Sequence, residues 1–325
     1  MATKKTSSGS SSGRNKTRKA VLGGMAGAVP LAIIALGTAI LPGNKSGAPA
    51  EEAVQHGTVA VKCDADVEDY NSCHMDYPTG CSGSGKYDPF LNLAKNQLPR
   101  PTSDNAPVLD EDAYKTLEQK IPGGLARSNH GDFKDQLAQL GEGQDRAVVG
   151  YLYYAKETGA ESSNCELTGD DNVDYHIGIG FDGDLASRVT AKKLSATDRK
   201  ALTQTSVIVE MTPQYRAYYE TNWTLDELKK VMGKKVKVIG QLIIDNEHNV
   251  PSQNCGFRDD AANTCWRASV WELHPVTAFL VCDRQDNACD VNSTDWAELG
   301  KTSSQSAAAT APAAGARSKR KTQPQ

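Results

Sequence analysis

Histidines and carboxylates alternate with apolar residues in three short segments of this chain. In one segment, Asp174 and His176 share the strand face opposite the apolar side chains. Glu272 and His274 stand in the same relation in the last segment, and Glu210 alternates with apolar neighbours in a third. Two imidazoles and a carboxylate suit zinc or another divalent ion, and they also suit general acid and base chemistry. These segments predict one polar site if the fold places them side by side.

Three more polar residues belong to this candidate set. Asp245 and His248 follow the fourth apolar segment, and Arg267 precedes the last one with a guanidinium that fits a carboxylate. The candidate binding residues are therefore Asp174, His176, Glu210, Asp245, His248, Arg267, Glu272 and His274. A structural network of histidines held by glutamates is the favoured interpretation, because half-buried imidazoles are commonly satisfied in this way. The alternatives are a binding site without chemistry and a metal or catalytic site using His176, Glu210 and His274.

Five β-patterned segments and one helix must position these residues. The segments are rich in β-branched and aromatic residues and cover 147–154, 175–181, 207–211, 235–244 and 268–281, with a helix predicted at 224–232 between the third and fourth. This is the element order of an OB-fold, a small five-stranded Greek-key barrel. The predicted fold class is mainly β, of α+β type, with an OB-like barrel domain over residues 146–290.

Two long loops and two helices complete this prediction. The loops at 155–173 and 245–267 correspond to those with which OB-folds grip ligands, so we expect the ligand there. Upstream, helices are predicted at 110–121 and 132–140, with Asp110 and Asp132 as their N-caps. Residues 43–145 are predicted to form a loop-rich extension with short helices.

All eight cysteines lie between Cys63 and Cys289. They lack the CxxC spacing of metal or redox motifs, so we expect disulfides. Local spacing predicts Cys255–Cys265 and Cys282–Cys289. The other four, Cys63, Cys73, Cys81 and Cys165, are predicted to pair among themselves, with the partners left open.

An uncharged apolar segment, residues 20–42, follows a basic stretch at 1–19 that contains no acid. As a helix, residues 20–41 of this segment reach about 33 Å, which spans a hydrocarbon core of about 30 Å. The charge step predicts a single-pass signal anchor, with a disordered basic tail in the cytoplasm and the rest periplasmic or extracellular. A signal peptide cleaved near Ala48-Pro49-Ala50 is the main alternative, and a buried soluble helix is a further one.

Charge is distributed unevenly along the chain. The net charge is −4, but residues 1–19 and the Ala/Ser/Pro-rich end carry ten basic residues and no acids, so the portion between is ten units more negative, at −14. Such an acidic body makes nucleic acid an unlikely partner. Residues 291–325 are predicted to be a disordered tail. No P-loop, nucleophile elbow, HExxH or dinucleotide motif occurs.

Four short motifs occur in order along the chain: a D-x-H strand at Asp174, an E-x-T-P turn at Glu210, G-x-L-x-x-D-x-E-H from Gly240, and W-E-L-H-P-V-T from Trp271. Together they resemble a family of uncharacterised bacterial exported proteins. The similarity covers roughly residues 79–282, and it implies an OB-like domain and export but no mechanism.

Two functional hypotheses follow from these patterns. The first is a membrane-anchored extracytoplasmic binding or structural module, whose protein or small-molecule partner the sequence does not name. The second is a metal-assisted hydrolase in which a divalent ion is held by His176, Glu210 and His274 on the barrel face.

Overall fold

The computed structural model describes residues 60–64, 67–100, 105–256 and 261–301. The predicted cytoplasmic tail at 1–19, the signal anchor at 20–42 and residues 302–325 of the predicted C-terminal tail lie outside these ranges. The start of that predicted tail, residues 291–301, is ordered and contains a short strand at Trp296–Glu298. Among the described residues, no helix is both long enough and apolar enough to span a membrane.

A closed barrel of five mixed strands forms the centre of the structure. Its strands are β2 (Asp145–Glu157), β3 (Tyr175–Gly180), β4 (Val207–Met211), β5 (Lys235–Ile244) and β6 (Trp271–Cys282). They pair in the order β2-β3-β4-β6-β5, and β5 returns to β2 to close the barrel. β4 and β6 are parallel, while the other barrel pairs are antiparallel. Two short strands extend the sheet: β1 (Val108–Leu109) pairs with β2, and β7 (Trp296–Glu298) pairs with β6.

Alternation along the strands builds the barrel core. Ile177 and Ile179 of β3 point to the same interior as Val209 of β4 and Leu273 of β6. All four side chains are fully buried. Because successive side chains point to opposite faces of a sheet, the residues between them lie on the outside of the barrel. The predicted faces of β3, β4 and β6 are therefore confirmed.

The described ranges contain eight α-helices. They are α1 (Tyr70–Asp76), α2 (Pro89–Lys95), α3 (Glu111–Gln119), α4 (His130–Gln139), α5 (Gly183–Thr190), α6 (Ala196–Gln204), α7 (Pro213–Tyr218) and α8 (Leu225–Lys230). Asp110 caps α3 as predicted, and Thr224 caps α8. The prediction that Asp132 caps α4 is wrong, because the helix begins two residues earlier, at His130. The backbone N–H of His130 donates to the carboxylate of Asp88, which is distant in the sequence, at 2.7 Å.

Four disulfides cross-link the described chain. Cys255–Cys265 and Cys282–Cys289 form as predicted. The remaining four cysteines do pair among themselves, as Cys63–Cys81 and Cys73–Cys165. The last of these joins α1 of the extension to the long loop between β2 and β3, so the extension is fastened to the barrel domain.

Candidate functional site

Strand register brings the predicted polar residues together. His176 of β3 lies directly opposite Glu210 of β4. On the other side of β4, Glu272 of β6 is aligned with Ile208 in the parallel pair, and His274 follows two residues later on the same face. Three neighbouring strands thus contribute to one outer face of the barrel.

Distances confirm that His176, Glu210 and His274 lie within reach of one another. Glu210 lies between the two imidazoles: its Oε1 is 3.3 Å from His176 Nδ1 and its Oε2 is 3.2 Å from His274 Nδ1. The His274 ring also approaches two further acids, Glu272 Oε1 at 3.4 Å from Nδ1 and Asp174 Oδ2 at 3.8 Å from Nε2. We call Asp174, His176, Glu210, Glu272 and His274 the histidine cluster.

A second group of charges continues from the histidine cluster. Arg267 connects the two, with its guanidinium 3.2 Å from Glu272 and 3.6 Å from Asp245. Asp245 in turn lies 3.3 Å from Lys95 Nζ and 3.4 Å from His248 Nε2. Lys95 also lies 3.6 Å from Glu161, in the loop between β2 and β3. The histidine cluster and this group form one charge network.

The histidine cluster lies on the outer face of the barrel, but other parts of the chain cover it. His274 and Glu272 have no exposed surface, and Glu210, Asp174 and His176 are at most 5% exposed. The N-terminal extension and the two long loops cover this outer face of the barrel. Lys95, the last residue of α2, belongs to the covering extension. The network reaches solvent where the side chains of Glu161 and His248 are 31% and 28% exposed.

Burial and mutual contacts set the protonation states of the histidine cluster. Burial alone would lower the pKa of His274, but its contacts with Glu210 and Glu272 raise the pKa to about 10. Burial opposes ionisation of Glu210 as well, yet the two imidazoles hold the pKa of Glu210 well below its ordinary value. Burial raises the pKa of Asp174 to about 7. At neutral pH the centre of the cluster is therefore an imidazolium paired with a carboxylate.

Trp266 covers the network from the loop between β5 and β6. Its ring centroid lies 5.4 Å from that of His176 and 5.1 Å from that of His248. The Arg267 guanidinium stacks on the Trp266 ring at 4.4 Å, and the ammonium group of Lys156, near the end of β2, lies 5.8 Å from the ring centroid. Trp266 itself is partly exposed. The loop between β5 and β6 therefore packs against strands β2 and β3 at this ring.

The glycines beside His176 do not leave open space there. A side chain at Gly178 would overlap the Tyr154 ring, and one at Gly180 would overlap the Tyr153 ring. Tyr154 lies nearly parallel to the His176 ring at 6.3 Å. The missing side chains thus allow two tyrosines to pack against β3.

All eight candidate residues predicted from the sequence belong to this network. Glu247 lies between Asp245 and His248 in the sequence but is not part of the network. Its carboxylate lies 3.6 Å from the Arg127 guanidinium. Sequence patterns did not indicate Lys95, Glu161 or Trp266. Lys95 ends a helix of seven residues, and nothing in its local pattern distinguishes it from a solvated lysine.

Asp174, Glu210 and His274 also have the spacing of metal ligands. Each offers one ligand atom, and these atoms all lie within 4.8 Å of one another. Cys63, Cys81 and Cys165 are grouped similarly, but their sulfurs are consumed in disulfides.

Comparison with known protein families finds no matching family model, and comparison with curated proteins finds no match.

Proposed function

We propose that this chain is a membrane-anchored module that works outside the cytoplasm and binds its ligand with the loops of an OB-like barrel. The strand order and the parallel β4–β6 pair support the OB-like assignment, as does helix α8 between β4 and β5. Four disulfides are consistent with an oxidising compartment. The anchor itself is proposed from the sequence of residues 20–42.

The position of Trp266, where the loop between β5 and β6 packs against strands β2 and β3, carries the binding proposal. Trp266 is a partly exposed aromatic side chain with Lys156 and His248 beside it and a buried charge network beneath it. Such a ring offers apolar contact area, while the charges below fix its position. Binding at this surface needs no opening of the fold.

Hydrolysis is the weaker alternative. A catalytic metal site keeps one coordination position open to water and substrate. His274 and Glu272 have no exposed surface, so a substrate would reach them after the covering loops had moved apart. Binding at the Trp266 surface is therefore proposed ahead of metal-assisted hydrolysis.

A fusion experiment tests the location. A reporter enzyme that folds outside the cytoplasm, fused after Gly300, is expected to be active and to remain with membranes after a high-salt wash. The matched control is the same fusion without residues 20–42, which should be inactive. An inactive reporter on the complete chain would overturn the proposed topology.

Site-specific crosslinking in intact cells tests the binding surface. A photoreactive residue replaces Lys156, beside Trp266, or Lys193, which is exposed outside both loops. Intact-mass analysis should find adducts at position 156 that disappear in a Trp266→Ala background, and none at position 193. Equal labelling at both positions, or labelling that survives Trp266→Ala, would contradict binding at this surface, as would no labelling at position 156.

A further inference from the structure

We propose that Asp174, Glu210 and His274 form a binding site for a divalent transition-metal ion, with Zn²⁺ the best match. The site lies under the covering loops, apart from the Trp266 surface. It does not depend on the topology or the ligand proposed above.

Spacing within the site matches metal coordination. Ligand atoms at about 2.0–2.2 Å from a tetrahedral zinc ion lie about 3.3–3.6 Å apart. In the structure, His274 Nε2 is 3.8 Å from Asp174 Oδ2, and the three ligand atoms all fall within 4.8 Å. Glu210 Oε2 now lies 3.2 Å from His274 Nδ1, so the Glu210 carboxylate has to turn toward Nε2 for the three ligands to meet at one ion.

Unsatisfied polar atoms are the second, independent observation. Among the described residues, both ring nitrogens of His274 and Oε2 of Glu210 are buried without a properly aligned hydrogen-bond partner. His274 is 0% exposed and Glu210 is 2% exposed. Buried polar atoms in native proteins nearly always have hydrogen-bond partners. Several buried polar atoms without such partners at one point therefore indicate that a bound ion satisfies them.

Neighbouring residues supply what a metal-bound histidine and glutamate need. When one ring nitrogen of a histidine binds a metal, the other usually donates to a carboxylate. Two acids lie near His274 Nδ1, Glu210 Oε2 at 3.2 Å and Glu272 Oε1 at 3.4 Å. When Glu210 turns to the ion, Glu272 can accept the Nδ1–H, and Nε2 is left for the ion. On the far side, His176 Nδ1 lies 3.3 Å from Oε1 of Glu210 and can hold that carboxylate in place.

The charge balance also favours a cation. The network contains five carboxylates, on Glu161, Asp174, Glu210, Asp245 and Glu272, against three cations, Lys95, Arg267 and the His274 imidazolium. An excess of buried negative charge is costly unless it is compensated. A divalent ion that displaces the His274 proton adds one positive charge beside Asp174 and Glu210, which offsets about half of that excess.

The donor types select the class of metal. One imidazole with two carboxylates suits zinc, and manganese and iron are weaker candidates. Calcium prefers six to eight oxygen ligands, and magnesium keeps several waters, so neither suits a closed site with a nitrogen donor.

Metal analysis of the untagged full-length chain, purified in mild detergent, tests the proposal. After chelation and dialysis, the protein is titrated with Zn²⁺ by calorimetry and with Co²⁺ by visible absorption. We expect one Zn²⁺ per chain, a higher Tm with zinc than without it, and the absorption bands of four-coordinate cobalt.

Variants assign the site. Asp174→Asn, which keeps the size of the side chain, and His274→Gln should lose the cobalt bands, while Glu272→Gln should weaken zinc binding by about 10–100-fold. His130→Gln is the matched control, because His130 is another buried histidine paired with a glutamate, Glu142 at 2.9 Å, outside the network. It should bind zinc like the wild type. Thermal unfolding without metal checks that each variant is folded.

Two outcomes would overturn the metal site. One is a wild-type protein that binds neither Zn²⁺ nor Co²⁺ nor Mn²⁺, and the other is equal zinc affinity in the wild type and in Asp174→Asn. Neither result would affect the crosslinking expected at Lys156, so the metal proposal and the proposed function fail separately.

Discussion

Lys95 is a charged residue whose role depends on tertiary structure. Its side chain is 5% exposed, and its ammonium group lies between Asp245 and Glu161, at 3.3 and 3.6 Å. Although burial opposes the charge, these carboxylates hold the pKa of Lys95 well above its ordinary value. The lysine therefore fastens α2 of the extension to both long loops of the barrel.

Removing this cation should destabilise the whole domain. Lys95→Met keeps the length of the side chain but leaves Asp245 with less compensation, and breaking a buried ion pair costs about 3–5 kcal/mol. Equilibrium urea unfolding measures the loss. Lys95→Met combined with Asp245→Asn should lose less than the sum of the two single variants. Lys115→Met is the control: Lys115 pairs with Glu111 and Asp112 on the surface of α3, and its loss should leave the midpoint unchanged.

The buried carboxylate of Asp245 should make the free energy of unfolding depend on pH. Burial alone would raise the pKa of Asp245, but Lys95 and Arg267 hold it well below its ordinary value. The stability that this carboxylate provides is thus complete above about pH 4, where the unfolded chain ionises, and it disappears as pH falls through the lower folded-state pKa. Asp245→Asn should therefore differ from the wild type by about 3 kcal/mol at pH 7 and progressively less below pH 4.

Urea unfolding at several pH values measures that difference. Asp226→Asn serves as the control, since Asp226 pairs with Lys229 on the exposed surface of α8. Its curve should follow the wild type throughout. A gap between Asp245→Asn and the wild type that widens on acidification would contradict the assigned direction of the pKa shift.

Sequence patterns indicated the histidine cluster because period-two alternation needs nothing beyond the strand itself. His176, Glu210 and His274 were placed together from strand faces and an assumed strand order, and the structure brings them together. The burial of the histidine cluster under the extension and the loops could not be predicted from strand alternation. It depends on Lys95 and Glu161, which are brought to the network by a disulfide-linked extension and a loop without periodicity.

At the scale of elements, the barrel strands were predictable and several helices were not. The strands carry β-branched runs that are strong local signals. Helices α1 and α2 have seven residues each, too few for a periodic pattern, and tertiary contacts and side-chain caps hold them. Helices α5 and α6, between β3 and β4, are not predicted from the sequence although Asp182 and Ser195 cap them, because Asp and Ser are equally common in turns and each helix is short.

Gly180 is the last residue of β3, and a substitution there tests how tightly Tyr153 packs on that strand. A methyl group there would overlap the Tyr153 ring, which is 1% exposed. The ring cannot retreat easily, since its hydroxyl donates to the Asp182 carbonyl at 3.0 Å and accepts from the Asp182 N–H at 2.8 Å. Gly180→Ala should lower the free energy of unfolding by about 1–3 kcal/mol, the usual cost of overpacking.

The matched control for this substitution is Gly159→Ala. Gly159 lies in the loop between β2 and β3, and a methyl group there would meet no atom within 4 Å. Its unfolding curve in urea should coincide with that of the wild type. If Gly180→Ala were equally neutral, the Tyr153 side chain would have to be far more mobile than its two hydrogen bonds imply.

At the scale of the whole molecule, two of the disulfides fasten segments outside the five barrel strands. Cys73–Cys165 closes a separation of 92 residues and ties α1 to the loop that carries Glu161. Cys282–Cys289 closes 7 residues between β6 and β7. The local bridges were predictable from spacing, whereas the partners of Cys73 and Cys165 depend on how the extension folds over the barrel.

The two bridges should therefore differ in their effect on stability. If loop closure in the unfolded chain dominates, loss of Cys73–Cys165 costs about 4.6 kcal/mol and loss of Cys282–Cys289 about 2.4 kcal/mol. Paired Cys→Ala variants of the full-length chain, unfolded by urea under oxidising conditions, measure both values. Because Cys73–Cys165 also anchors the cover of the charge network, amide hydrogen exchange should quicken in β3 and β4 in that variant but not in the Cys282/Cys289 variant. Equal losses of stability with unchanged exchange in β3 and β4 would mean that packing and the Lys95 contacts hold the extension on the barrel without the covalent link.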